Sequence, residues 1–269
     1  MIRDFTQTYF SDQLPHFKSD FMSRWEQEEY NDPNKPAIFV GLYSNKDKTA
    51  FLNHKSYKIL YFAGADFCHS NLKLVANTDL SKTICTGYGP DWLYPTLDKY
   101  GIPYSTTKIL LKDYSQFTPT PLGENIYVYK GLHGDRADHY KWNQVVKPLQ
   151  EVFGEDRIIY TQFLPLNELH EKYYNDCFIY IRPQPLGGGT AMFELGHMGR
   201  KTIAQQHSSF STCLNYENLE DIINLIMEES KKIGTLQPQV AEELKSMFDH
   251  KGKWLNLNNY KKWHKEYTK

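Results

Sequence analysis

The alternation of apolar runs with amphipathic stretches predicts an α/β protein built on parallel sheets. In the second half of the chain, strand-length apolar runs lie at 125–129, 157–160, 177–181 and 202–204, and helical periodicity occupies 139–153, 166–174 and 190–198. Asn218 is suited to the N-cap of a further helix that ends before Gly234. Strict alternation of strand and helix is typical of a doubly wound parallel sheet with right-handed crossovers.

Apolar runs in the first half predict a second parallel layer. They lie at 36–43, 57–63, 72–76 and 83–85, followed by a helical pattern at 92–100. Dense Pro and Gly punctuation at 119–123 separates the halves. We therefore predict an α/β protein of two Rossmann-like domains, 1–122 and 123–238, and a C-terminal helical segment, 239–269. The aromatic residues of that segment are expected to pack back on the first domain, since large apolar side chains are costly in water: Trp254, Tyr260, Trp263 and Tyr267.

Charge and cysteine usage exclude several classes of protein. The 31 Lys and Arg residues balance 32 Asp and Glu residues, so nothing favours nucleic acid as a partner. No apolar window of about 18 residues is present, which excludes a transmembrane segment. The four cysteines form no C-x-x-C pair, and Cys85 and Cys177 are expected to be buried thiols. We expect a soluble cytoplasmic protein, with its oligomeric state left open.

The most informative segment is the glycine-rich turn between the predicted strand 177–181 and the predicted helix 190–198. Gly188, Gly189 and Thr190 bring backbone N–H groups and the positive end of the helix dipole to one place, which favours an anion. Arg182 ends the preceding strand and can contact the same anion, and Glu194 lies one helical turn after Thr190. The alternative is that the glycines serve only a tight turn.

Other phosphate-binding motifs do not fit the chain. The P-loop pattern is absent, and Trp92 stands where a dinucleotide fingerprint starting at Gly87 needs its third glycine. No two aspartates are two positions apart, so there is no D-x-D pair for a metal–diphosphate complex. We therefore expect no bound metal ion and no cofactor.

The segment from Arg182 to Glu194 resembles the nucleotide-sugar-binding domain of the GT-B glycosyltransferases. In that family a strand ending in a basic residue and Pro leads to a Gly-rich turn, a helix bearing a Glu, and another strand, similar to residues 200–204 here. Lys130, in 127–131, is similar to the Lys of that domain's opening strand. Residues 59–66 and 93–102 resemble segments of the family's acceptor domain, and the small, Lys/Asn/Tyr-rich chain is similar to compact enzymes of large DNA viruses.

The resemblance implies a glycosyltransferase that moves a sugar from a UDP- or GDP-type nucleotide sugar, bound in the cleft between the domains, to a hydroxyl of a glycan or glycoprotein. Glu194 would accept from the ribose hydroxyls, while Arg182, Lys130 and the turn at 188–190 would hold the diphosphate. Phe163 and Leu164 would lie in the loop that holds the base.

On the acceptor side, the resemblance implies Gly41, Tyr43 and Asp66. Asp66 is the candidate base or acceptor-orienting group, and the alternative is a helix-cap or turn aspartate. Many retaining members carry two Glu residues separated by seven others, and this chain has Leu186 at the first of those positions. A nucleotide-sugar epimerase or hydrolase of the same fold, and a sugar-nucleotide-binding module without turnover, are the two other functions considered.

Overall fold

The computed structural model describes residues 4–87, 93–105, 111–129, 141–161, 164–183, 190–205, 212–248 and 257–267. Contacts divide the chain into two units, Met1–Asp113 with Phe248–Lys269, and Tyr114–Met247. Each unit has its own sheet of five strands, and every strand pair in both sheets is parallel.

The first unit carries the sheet with strand order β2-β1-β3-β4-β5. Its strands are β1 (Gln7–Phe10), β2 (Glu28–Glu29), β3 (Ala37–Val40), β4 (Lys58–Phe62) and β5 (Thr83–Gly87). The helices between them are α1 (Pro15–Arg24), α2 (Asn45–Asn53) and α3 (His69–Ala76), and α4 (Leu93–Lys99) follows β5. β3 and β4 lie in the predicted runs at 36–43 and 57–63, β5 begins with the run at 83–85 and extends to Gly87, and all three strands are buried from end to end.

The strand predicted at 72–76 is wrong, because these residues belong to helix α3. Leu72 and Val75 are buried while Lys73 is exposed, which is the spacing of a helix face and not the alternation of a strand. A five-residue apolar run cannot separate the two structures by its length. The first unit therefore keeps a helix between β4 and β5, as parallel pairing requires.

The second unit carries the sheet with strand order β10-β9-β8-β6-β7. Its strands are β6 (Asn125–Tyr129), β7 (Ile158–Thr161), β8 (Cys177–Arg182), β9 (Lys201–Gln205) and β10 (Cys213–Tyr216). The helices are α5 (Lys147–Phe153), α6 (Leu166–Leu169), α7 (Thr190–His197), α8 (Leu219–Ser230) and α9 (Pro238–Phe248). A π-helical turn, Trp142–Val146, precedes α5, and a second one, His170–Tyr174, continues α6. Asn218 caps α8 in a capping box with Asp221, as the sequence predicts for this N-cap.

The segment after Asp113 packs with the second unit. The Arg200 side chain is fully buried and donates hydrogen bonds to Thr120 and to the Pro121 carbonyl oxygen, 2.8 Å away. Tyr114 stacks on His197 with ring centroids 5.3 Å apart. The structure thus places the boundary between the units at 113/114, where the Pro/Gly punctuation indicates 122/123.

The two C-terminal helices belong to different units. Helix α9 lies in the second unit, where Leu244 is fully buried and its Cδ2 atom would lie 2.7 Å from a Cβ added to Gly196. Helix α10 (Leu257–Tyr267) lies in the first unit, where the ring of Tyr260 is 5.4 Å from that of Phe5. The prediction that a C-terminal helix packs back on the first domain is therefore confirmed for α10 and Tyr260, whereas α9, at the start of the predicted segment 239–269, lies in the second unit. Trp254 and the side chains of Trp263 and Tyr267 lie outside the described residues.

Candidate functional site

The candidate site of the second unit lies at the carboxyl end of β8. This strand ends at Arg182, and α7 begins at Thr190; both side chains are half-buried. Gly188 and Gly189, predicted to bind an anion between them, lie outside the described residues. In open α/β sheets, ligands bind outside the carboxyl ends of the strands. Arg182 and Thr190 therefore share the edge of the sheet where such a ligand is expected.

Glu194 is a buried carboxylate in the first turns of α7. Its side chain is 3% exposed, and its Oε2 atom accepts a hydrogen bond from the Tyr174 hydroxyl at 2.8 Å. Burial raises the pKa of Tyr174 well above its ordinary value, and the charge of Glu194 raises it further. The phenol therefore stays protonated over the physiological range and acts as a donor to the carboxylate.

A second buried pair lies beside the first one. The Tyr127 hydroxyl is 2.7 Å from Thr161 Oγ1, and burial raises the pKa of Tyr127 as well. The ring of Tyr127 packs edge-on against that of Tyr174, with centroids 5.4 Å apart, and lies 5.5 Å from the ring of Tyr180. The carboxylate of Glu194 is thus backed by a packed set of aromatic rings that the sequence analysis did not identify.

Three further residues complete the sequence prediction for the second unit. Leu164 is half-buried and lies two positions before α6. Lys130 and Phe163, predicted for the diphosphate and the base, lie outside the described residues. The roles of all three residues stay predictions.

In the first unit, the carboxylate of Asp66 joins the loops that follow β3 and β4. Its Oδ1 atom accepts from the backbone N–H groups of Ala63 and Gly64, at 3.0 and 2.8 Å, and its Oδ2 atom accepts from that of Leu42, at 3.2 Å. The side chain is 2% exposed, and burial raises the pKa of Asp66 to about 6, while the backbone donors act in the opposite direction. These contacts are those of a turn aspartate, and a role as base stays a prediction.

Asp47 is a second buried carboxylate at the same edge of the first sheet, and the sequence analysis missed it. Its Oδ2 atom accepts from the backbone N–H groups of Tyr43 and Ser44, at 2.9 and 2.8 Å, and from the Ser11 hydroxyl. Ser44 and Asp47 form a capping box at the start of α2. The spacing S-x-x-D before an amphipathic stretch was the signal that could have found it.

Gly41 and Tyr43, predicted on the acceptor side, lie in this same loop. Gly41 has φ +86°, and a Cβ atom there would lie 2.8 Å from the Tyr43 ring, so the position requires glycine. Burial raises the pKa of Tyr43, and the nearby charge of Asp66 raises it further. The structure therefore brings Gly41, Tyr43 and Asp66 together in one cluster of contacting loops.

Neither a group of metal-ligating side chains nor a membrane-spanning helix is found in the described part of the chain. Among those residues no three His, Cys, Asp or Glu side chains form a group that could hold a metal ion. No helix in the same residues is long and apolar enough to cross a membrane.

No protein-family model and no curated protein matches the chain, whereas solved structures do. Sucrose-phosphate synthase from Thermosynechococcus elongatus superposes with a TM-score of 0.56 at 12% sequence identity, over 93% of this chain and 76% of that one. HepE from Anabaena, in complex with UDP and glucose, gives a TM-score of 0.53 at 10% identity, over 92% and 81%. TarM gives 0.51 at 10% identity, over 88% and 56%.

At these identities the likeness shows the fold. The two parallel α/β units have the architecture of the GT-B glycosyltransferases, which confirms the predicted fold class. Nothing in the three comparisons supports a viral source.

Proposed function

We propose that the chain is a metal-independent glycosyltransferase that moves a sugar from a UDP- or GDP-type nucleotide sugar to a hydroxyl of a glycan or glycoprotein. The observation that carries the proposal is the buried Glu194 carboxylate, fixed by Tyr174 one turn into the helix that follows β8. The GT-B architecture supports it, since HepE shares this architecture and has been crystallised with UDP and glucose.

In the proposed donor site, Glu194 accepts hydrogen bonds from the ribose hydroxyls. A carboxylate with a fixed orientation suits two neighbouring hydroxyl groups, because each of its oxygens can accept from one of them. Arg182 and the start of α7 at Thr190 supply positive charge and helix-dipole stabilisation for the diphosphate. Lys130, Gly188 and Gly189 are proposed for the same diphosphate on the sequence pattern.

In the proposed acceptor site, Asp66 orients the acceptor or takes its proton. A pKa of about 6 leaves most of the carboxylate ionised at pH 7 and keeps it close to the range that suits a general base. Its bonds to three backbone N–H groups also hold the loop that carries Gly41 and Tyr43. We therefore assign the orientation or deprotonation of the acceptor hydroxyl to Asp66.

The direct test is a turnover assay with a panel of UDP and GDP sugars, following release of free nucleotide with and without acceptor glycans. Release that depends on an acceptor supports the transferase. Isomerised or hydrolysed donor without an acceptor indicates an epimerase or hydrolase, and binding without turnover indicates a module without activity. Either of the last two results overturns the proposal.

A second test concerns the role of Glu194. Glu194→Gln keeps the shape of the side chain and replaces one acceptor oxygen by a donor, so affinity for UDP or GDP should fall roughly 10- to 100-fold, as for loss of hydrogen bonds worth ~1.5–3 kcal/mol. Glu168→Gln is the matched control, since this surface carboxylate pairs with Lys172. Isothermal titration measures both variants, and unchanged affinity in Glu194→Gln would remove Glu194 from the site.

A third test concerns metal. The chain has no D-x-D pair, and cationic and dipolar groups can stabilise the diphosphate leaving group in place of a divalent ion. Turnover should therefore persist in EDTA. Loss of activity on chelation, with recovery on adding Mn²⁺ or Mg²⁺, would show that the diphosphate site is assigned wrongly.

The cytoplasmic location stays a prediction of the sequence, and the oligomeric state stays open.

A further inference from the structure

Tyr174 contacts the carboxylate on which the proposed donor site depends. Its side chain is 1% exposed, and its hydroxyl donates to Glu194 Oε2 at 2.8 Å. The two residues are 20 positions apart and lie on different elements, so the contact is made by the tertiary fold. A buried donor of this kind fixes the direction in which a carboxylate faces its other partners.

The backbone that carries Tyr174 is unusual. Helix α6 continues into a π-helical turn, His170–Tyr174, and Tyr174 is the last residue of that turn. π-helical turns are rare and occur frequently at functional sites, because the wider turn changes the direction of the side chains that follow it. Here it delivers the phenol into the buried space beside Glu194.

Packing holds the phenol in one position. The Tyr127 ring stands edge-on against Tyr174, and the Tyr127 hydroxyl forms its own pair with Thr161 at 2.7 Å. The ring of Tyr127 therefore supports the ring of Tyr174, while the Tyr127 hydroxyl forms its hydrogen bond with Thr161. A residue whose rotamer is locked by packing can keep a ligand-binding group ready, which lowers the entropy that binding must overcome.

We propose that Tyr174 is the positioning residue that orients Glu194 toward the ribose, and that it thereby sets the preference of the site for ribonucleotides over 2′-deoxyribonucleotides. This inference rests on the proposed function. It extends that function because it assigns ribose selectivity to a residue that does not contact the ligand.

The test compares affinities for UDP and GDP with those for their 2′-deoxy analogues by isothermal titration. Tyr174→Phe removes one hydroxyl and keeps the ring, so the preference of the wild type for the ribose form should fall about tenfold, as expected for loss of one hydrogen bond to a charged group. Tyr127→Phe is the matched control, because it removes a neighbouring buried hydroxyl paired with Thr161. It should lower stability while leaving the preference unchanged.

A double variant completes the design. Once Glu194→Gln has removed the carboxylate, adding Tyr174→Phe should change the ribose preference no further. The inference is overturned if Tyr174→Phe keeps the full preference, if Tyr127→Phe loses as much, or if the two effects add. A wild-type protein that binds neither UDP nor GDP would instead overturn the proposed function, so the two failures are distinguishable.

Discussion

Lys58 offers the sharpest test of the energetics, because replacing it should stabilise the protein. It is the first residue of β4 and is only 4% exposed. Its ammonium group donates to the Phe51 carbonyl oxygen at 2.9 Å and lies 4.3 Å from the centre of the Phe51 ring. Burial lowers the pKa of Lys58 from 10.5 to about 8. Burial thus destabilises the charged form relative to water, although the amine is still mainly protonated at pH 7.

The size of the effect follows from this shift. Lowering the pKa of Lys58 from 10.5 in the unfolded chain to about 8 in the folded protein corresponds to about 3 kcal/mol against folding at pH 7, where both states are protonated. Between pH 8 and 10.5 the unfolded state binds more protons, so stability rises with pH, and above 10.5 the penalty has gone. Lys58→Met removes the penalty and costs about 1 kcal/mol for the lost hydrogen bond. The variant should be about 2 kcal/mol more stable at pH 7 and about equal to the wild type at pH 10.

Equilibrium urea unfolding at pH 7 and pH 10, followed by circular dichroism, measures both quantities. Lys82→Met is the control, since Lys82 is about half exposed and donates to a backbone carbonyl in the same region. It should change stability by less than about 0.5 kcal/mol at either pH. A Lys58→Met protein that is less stable at pH 7, or whose advantage is the same at both pH values, would refute the reasoning.

Three further changes test other parts of the fold. Arg200→Met removes a buried guanidinium that donates to several backbone carbonyls, so calorimetry should show a loss of about 4 kcal/mol in stability. Arg157→Met, at a half-buried residue that pairs with Glu124 on the surface, should show almost none. His54 is 5% exposed, and burial lowers its pKa to about 4. The free energy of unfolding of the wild type should therefore fall by up to about 3 kcal/mol between pH 6.5 and pH 4. In acid titrations His54→Gln should lose less stability over the same range. Gly41→Ala should lower the free energy of unfolding in urea by about 1–3 kcal/mol, because φ is positive and the new Cβ meets the Tyr43 ring. Gly101→Ala should lower it clearly less, since φ is positive there but the space is open. Equal losses for the two glycines would contradict the steric reasoning.

Much of the second unit could be predicted because its strands are continuous apolar runs. Residues 125–129 and 177–181 fall inside β6 and β8, since strands buried on both faces need apolar side chains throughout. β1 gave no such signal. Its Gln7 and Thr8 are buried polar residues whose side chains form hydrogen bonds within the unit. The amino-acid sequence of β1 therefore lacks the apolar run that is typical of a core strand. In β1, hydrogen bonds to distant residues satisfy the buried polar side chains, and a sequence pattern cannot show such bonds.

The candidate site was predictable to a similar extent. Glu194 could be found because it follows a glycine-rich turn at helical spacing, which is a local pattern. Tyr174 could not be found, because its contact with Glu194 depends on a π-helical turn and on the packing of two elements. The loop around Tyr43 divides in the same way. Asp47 could have been found from its S-x-x-D spacing, whereas the hydrogen bond from the Leu42 N–H to Asp66, across 24 positions, depends on the tertiary fold.

The division of the first unit between both ends of the chain has a consequence for its synthesis. The Leu257 backbone N–H donates to Asp4 across 253 positions, and Tyr260 covers the rings of Phe5 and Tyr57. Because a ribosome makes the chain from its amino end, every residue of the second unit, Tyr114–Met247, has been translated before the helix that closes the first unit exists.

The first unit is therefore finished last although it is begun first. Contacts of such high sequence separation form slowly, so the aromatic surface around Phe5 stays uncovered until the residues of α10 have been translated. A nascent chain released before residue 257 lacks this cover and presents the surface to chaperones and proteases. The first unit thus depends for its closure on the last of its own segments to be translated.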